Sequence, residues 1–125
     1  MNSASVLVVE HDDELRDALV KRLSRRGMTV RDAYSDQEAM AALRDQPADV
    51  ILLDMELPER NGLFTLRDIK QEFPKSIVLL LAQYATLESA LEGMLLGATD
   101  YLLKPCMADE IMIRIQEALH DASAA

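Results

Sequence analysis

Residues 49–62 read Asp49-Val50-Ile51-Leu52-Leu53-Asp54-Met55-Glu56-Leu57-Pro58-Glu59-Arg60-Asn61-Gly62, and this stretch decides the fold. Val50 to Leu53 is apolar without a break, bounded by Asp49 and Asp54. A strand covered on both faces reads as a continuous run, whereas one with a wet face alternates. Met55 to Gly62 is a loop, because Pro58, Asn61 and Gly62 favour turns. Leu63 to Phe73 follows as a helix, stopped by Pro74.

The same strand-then-helix unit recurs on both sides. Upstream, Val6 to Val9 is a short apolar run. Asp13 to Arg26 follows with Leu15, Leu19 and Leu23 on one helical face, and Gly27 stands where a helix cap is expected. Met28 to Ala33 reads as a second strand. Ser35 with Glu38 forms a capping box that opens a helix over Asp36 to Asp45, with Pro47 beyond it. Downstream, Ile77 to Leu81 is a strand, Leu87 to Leu96 a helix stopped by Gly97, and Tyr101 to Leu103 a fifth strand. Lys104-Pro105 is a loop, Met107 to His120 a final helix, and 121–125 a short tail. The expectation is one α/β domain over 1–125 with its core at about 5–120. Right-handed crossovers make it a doubly wound (βα)5 three-layer sandwich, with a parallel five-stranded sheet in the order 2-1-3-4-5.

Composition narrows the function classes. The 125 residues are 50% hydrophobic, with two Phe, three Tyr and no Trp, so the core is aliphatic and Met-rich. The longest apolar run, Ile77 to Ala82, is too short to span a bilayer, and the N-terminus lacks a signal-peptide pattern, so a cytoplasmic protein is expected. A single cysteine, Cys106, excludes an internal disulfide and a Cys-based zinc site, and is read as a packing residue. The net charge of −9 argues against direct nucleic-acid binding.

In such sheets ligands bind where strands end at their carboxyl side. Glu10, His11, Asp12 and Asp13 follow the first strand, Asp54 the third, Ala82 and Gln83 the fourth, and Lys104 the fifth. Glu10 and Asp54 therefore converge, with Asp12 a further candidate and Lys104 facing them. Clustered carboxylates need a cation or a proton, and hard oxygens suit magnesium. Carboxylate, magnesium and lysine are the parts of a phosphoryl-transfer site. Asp13 and Glu14 are read as favouring the positive end of the first helix.

Three segments carry a family resemblance: Val8-Val9-Glu10-His11-Asp12, then Leu52-Leu53-Asp54-Met55-Glu56-Leu57-Pro58 with Gly62, and Gly97-Ala98-Thr99-Asp100-Tyr101-Leu102-Leu103-Lys104-Pro105. Together they resemble the receiver domains of bacterial two-component response regulators, over about Ser5 to Leu119. The resemblance implies a phosphoacceptor, Asp54, taking a phosphoryl group from a sensor histidine kinase or phosphotransfer protein. Lys104 would bind a phosphoryl oxygen and Tyr101 would be the aromatic switch. Glu10, Asp54 and the Glu56 carbonyl would hold Mg2+, with His11 or Asp12 as further candidate ligands. It implies a non-enzymatic signalling domain, at most phosphorylating and dephosphorylating itself, with an effector domain or output protein as partner.

Two positions depart from the family pattern. His11 stands where a metal-ligating aspartate is usual, and imidazole suits softer metals than magnesium. Weak Mg2+ binding, or its replacement by Mn2+, follows as an expectation. Ala82 stands where Thr or Ser is usual, so the switch position has no hydroxyl, while Gln83 is large enough to shield Asp54. The alternative function is thus a pseudo-receiver that binds proteins without phosphorylation. A haloacid-dehalogenase-like phosphatase also uses an aspartate with an acid two residues on, as in Asp54-Met55-Glu56, but places it on the first strand. A nucleotide- or flavin-binding module lacks its phosphate-binding glycine loop here.

A partner surface is expected at the fourth helix, fifth strand and last helix, where receivers often form homodimers. Leu87, Ala90, Leu91 and Met94 form the stripe expected to be buried, with Leu95 at its edge and Leu96 opposite. In the last helix Ile111, Ile115, Ala118 and Leu119 are the expected core, with Met112 and Ile113 outside it.

Overall fold

A computed structural model describes residues 4–124. Five strands and five helices alternate: β1 Ser5–Val9, α1 Asp13–Arg25, β2 Thr29–Ala33, α2 Asp36–Asp45 and β3 Val50–Asp54, then α3 Gly62–Glu72, β4 Ile77–Ala82, α4 Leu87–Leu95, β5 Asp100–Leu103 and α5 Ala108–Ala124. All strand pairs are parallel and the order is β2-β1-β3-β4-β5, as the apolar runs predict. Asp54 is itself the last residue of β3, paired in register with Leu81.

Successive strand residues point to opposite faces, so each apolar run feeds two cores. Leu7, Val9, Ile51, Leu53, Val78 and Leu80 pack with α2 and α3. Val6, Val8, Val50, Leu52, Leu79 and Leu81 pack with α1 and α5. This is why β1, β3 and β4 show no polar alternation.

Asp12 caps α1, accepting from the Glu14 and Leu15 N–H groups. Ser35 accepts from the Glu38 N–H as expected, but the Glu38 carboxylate returns to the Tyr34 N–H (2.9 Å) and not to that of Ser35, so the box closes one residue early. Asn61, read as a turn residue, caps α3 through the Leu63 N–H. Gly62 is required by space: a Cβ there would lie 2.7 Å from the Met55 Cα and press on the Asp54 carbonyl. The last helix runs through the stretch expected to be a tail, because 121–124 hold no Gly or Pro to stop it.

Two helix faces correct the sequence reading. The α4 stripe expected to be buried faces outward, with Leu87 78%, Leu91 55% and Met94 47% exposed, as is Leu95. Gly93 is the buried residue of α4, so close to β4 that a Cβ would lie 2.6 Å from Leu80 Cδ1. The small face of the helix allows this approach, and Leu96 beyond it packs on the core instead of facing away. In α5, Met112 is buried beside Ile111 and Ile115, not outside the stripe, while Ile113 is exposed.

Candidate functional site

The sheet delivers four side chains to one place. Glu10 follows β1, held by its N–H on the Ala33 carbonyl (3.0 Å) and by Arg16 Nη1 on its own carbonyl (2.9 Å). Asp54 ends β3. Lys104 follows β5, its N–H donating to the Ala82 carbonyl at 2.8 Å. The Glu10 and Asp54 side chains are fully buried, and Lys104 is 12% exposed.

Lys104 Nζ lies 2.8 Å from Glu10 Oε1 and 3.1 Å from Asp54 Oδ1. The remaining oxygens face His11: Nδ1 is hydrogen-bonded to Asp54 Oδ2 and lies 3.4 Å from Glu10 Oε2. Backbone groups complete the set. The His11 N–H donates to Asp54 Oδ2 (3.1 Å), the Glu56 N–H to Asp54 Oδ1 (2.9 Å) and the Asp12 N–H to Glu10 Oε2 (3.0 Å).

These contacts separate the two carboxyls. Burial pushes Glu10 up, and the nearby Asp54 charge adds to this against the pull of Lys104. Burial also pushes Asp54 up, but His11, the two backbone N–H groups and Lys104 outweigh it and hold Asp54 below its ordinary value. Lys104 is raised, because Glu10 and Asp54 overcome its own burial. Of the two carboxyls, Asp54 therefore gives up its proton the more readily.

The other expected residues have distinct placements. Asp12 caps α1, and its carboxylate is spent on that helix. The Glu56 side chain accepts from the Gln83 N–H (2.9 Å), tying the β3–α3 loop to the loop after β4. Ala82 is buried and offers the site no hydroxyl. Tyr101 shares a 3.3 Å hydroxyl contact with Ser89 of α4. Glu10, His11 and Asp54 each present a ligand atom within 4.8 Å of the others. A pocket of about 330 Å3, lined by His11, Asp12, Leu15, Gln83, Lys104, Pro105 and Cys106, opens beside them. Burial and Glu110 push the Cys106 thiol up to about 11, away from thiolate chemistry.

Sequence reasoning missed Arg16 and Arg60. Arg16 sits one helical turn after Asp13, so the sequence suggests a surface pair, yet it also holds the Glu10 backbone. Arg60 leaves the loop after Asp54 and bridges Asp36 of α2 (3.0 Å) and Asp68 of α3. It lines a groove of about 600 Å3, where charged side chains pair with one another.

The comparisons with known proteins agree with this geometry. Residues 6–116 match the response regulator receiver domain family. The transcriptional regulatory protein CpxR of Klebsiella pneumoniae is 36% identical over 114 residues, covering 91% of this chain and 48% of CpxR. The DNA-binding transcriptional regulator NtrC of Proteus hauseri is 32% identical over 95% of this chain and 25% of its own length. The chain thus spans half or less of these relatives. The crystal structure of the receiver domain of NtrX from Brucella abortus superposes with a TM-score of 0.86 at 30% identity, covering 92% of this chain and 98% of that one. A CheY-like receiver domain from Methanospirillum hungatei shares the fold, with a TM-score of 0.94 over 98% of both chains at 24% identity. The chain belongs to the response regulator receiver domains of two-component signalling systems.

Proposed function

We propose that this receiver domain accepts a phosphoryl group on Asp54 from a phosphohistidine of a sensor kinase or phosphotransfer protein. The observation that carries the reading is the Lys104 ammonium, shared by Glu10 and Asp54 where their strands end. A depressed Asp54 is a carboxylate ready to attack. Its oxygen forms a P–O bond as the donor's P–N bond breaks, and the departing imidazole takes up a proton. Lys104 holds a phosphoryl oxygen as the charge moves. Before attack, the His11 ring must swing off Asp54 Oδ2, and at 38% exposure it has room to do so.

Receivers typically use Mg2+. The Glu10 and Asp54 carboxylates and the Glu56 carbonyl suit such a hard cation, but the His11 imidazole among them does not. The output is a protein contact at α4, β5 and α5, where Leu87, Leu91, Leu95, Leu103 and Ile113 are exposed. The occupant is an effector domain, an output protein or a second copy of the chain. Direct nucleic-acid binding by this domain does not fit a net charge of −9. The phosphatase reading does not fit an aspartate on β3 whose second acid, Glu56, turns to Gln83.

A second reading, the pseudo-receiver, is favoured by His11 covering Asp54 and by the missing hydroxyl at Ala82. Intact mass after incubation with acetyl phosphate and a divalent cation separates the two. One added phosphoryl group, absent in Asp54→Asn, supports the phosphoacceptor. No addition with any cation sinks it, and gain of phosphorylation by His11→Asp with Ala82→Thr would then locate the cause. Sedimentation at high concentration tests the homodimer, with Leu91→Glu expected to dissociate it.

A further inference from the structure

We infer that this site selects a first-row transition dication of the Mn2+ to Zn2+ series over Mg2+, with His11 Nδ1 as the deciding ligand. The metal preference stands on the geometry alone; its consequence for signalling rests on the phosphoacceptor reading.

Each buried carboxylate is divided in the same way. Lys104 takes Glu10 Oε1 and Asp54 Oδ1. Glu10 Oε2 and Asp54 Oδ2 are left facing one imidazole nitrogen. These two oxygens are already aimed, because the backbone N–H groups of Asp12 and His11 hold them. Such outer contacts orient ligands before a metal arrives.

Charge favours a dication. With both carboxyls ionised on a dication, the site sets two negative charges against the single Lys104 ammonium. Donor chemistry then chooses among dications. Mg2+ wants oxygens in strict octahedral geometry and takes imidazole poorly, whereas Mn2+ through Zn2+ accept mixed nitrogen and carboxylate sets. Metal–nitrogen and metal–oxygen bonds of about 2.0–2.2 Å would replace the Nδ1···Oδ2 contact after a small ring rotation, with any proton on Nδ1 released to solvent and the imidazole proton kept on Nε2. The pocket beside His11 supplies an entry path and room for completing waters. Metal capture would also turn the ring that covers Asp54 into a ligand, making cation identity a condition for phosphoryl acceptance.

The test titrates the full chain with MgCl2, MnCl2 and ZnCl2 by calorimetry and follows the His11 ring nitrogens by 15N NMR with Zn2+. The background is Cys106→Ser with His120→Gln, which removes the one thiol and the second imidazole. The expected result is one site that binds Zn2+ and Mn2+ about tenfold or more tighter than Mg2+, with the Nδ1 signal shifted. His11→Asp and His11→Ala should each shrink the Zn2+-over-Mg2+ ratio several-fold, because the nitrogen donor is lost while the carboxylate donors remain. Equal or tighter Mg2+ binding, an unmoved Nδ1 signal, or an unchanged preference in His11→Ala would overturn the inference. Acetyl phosphate labelling separates this from the phosphoacceptor reading: a metal preference without any phosphoryl mass sinks that reading alone, and labelling with a flat metal order sinks this inference alone.

Discussion

Two clusters in this molecule have the same composition, two carboxylates sharing one cation. At the strand ends Glu10 and Asp54 share Lys104. Between α2 and α3, Asp36 and Asp68 share Arg60. In the first cluster both acids are fully buried, while in the second they are 18% and 32% exposed. Burial is what makes the difference. Where water screens the charges, Arg60 draws Asp68 below its ordinary value and the cluster is a clip that ties the β3–α3 loop to two helices. Where water is excluded, two like charges cannot be equally comfortable: Glu10 is raised and Asp54 depressed. That asymmetry follows from burying two acids side by side, which the half-wet clip does not do.

The largest expected effect comes from removing the buried cation. Lys104→Met strands two carboxylates and should destabilise the fold by about 3 kcal/mol at neutral pH, measured by urea unfolding. A loss no greater than that of Arg60→Met would erase the contrast between the clusters.

Next comes pH. Glu10 is raised above 4.5, so the folded state holds its proton more tightly than the unfolded chain. Its contribution is full below 4.5 and is lost as pH rises through the folded value. Glu10→Gln should therefore stabilise the protein at neutral pH, and the gain should vanish in acid. Asp54 and Asp68 run the opposite way. Both are depressed below 3.8, so they stabilise above that value and lose their contribution as pH falls through their folded values. Unfolding of wild type and Glu10→Gln across the acid range checks both signs.

Arg60→Met should cost about 0.5–1 kcal/mol, because the pairs it breaks are partly wet. The smallest effect is salt. Raising NaCl from about 0.05 to 0.5 M should shrink the cost of Arg60→Met while leaving that of Lys104→Met nearly unchanged. Equal salt sensitivity would show that water reaches both clusters alike.

The two apolar helices show where sequence reading stops. In α5, Ile111 and Ile115 point inward as their spacing predicts. In α4 an equally regular stripe of Leu87, Leu91 and Met94 points outward. Periodicity says that a helix has an apolar face, but not that this face meets the sheet. Gly93 against Leu80 settled the orientation through close approach, and no spacing rule in the chain announces that. Arg16 and Arg60 were missed for a related reason: their partners, the Glu10 carbonyl and Asp36, come near only once loops and helices are placed.

By itself the sequence determined the alternation of buried strands and helices, their parallel order, and the delivery of Glu10, Asp54 and Lys104 to one edge. Continuous apolar runs admit few arrangements, and strand ends carry their neighbours with them. Only the tertiary structure decided that His11 closes over Asp54, that Asp12 caps a helix instead of joining the site, and that α4 turns its leucines outward. Each of these depends on distances of a few ångströms between segments far apart in the chain, and such distances are set by packing.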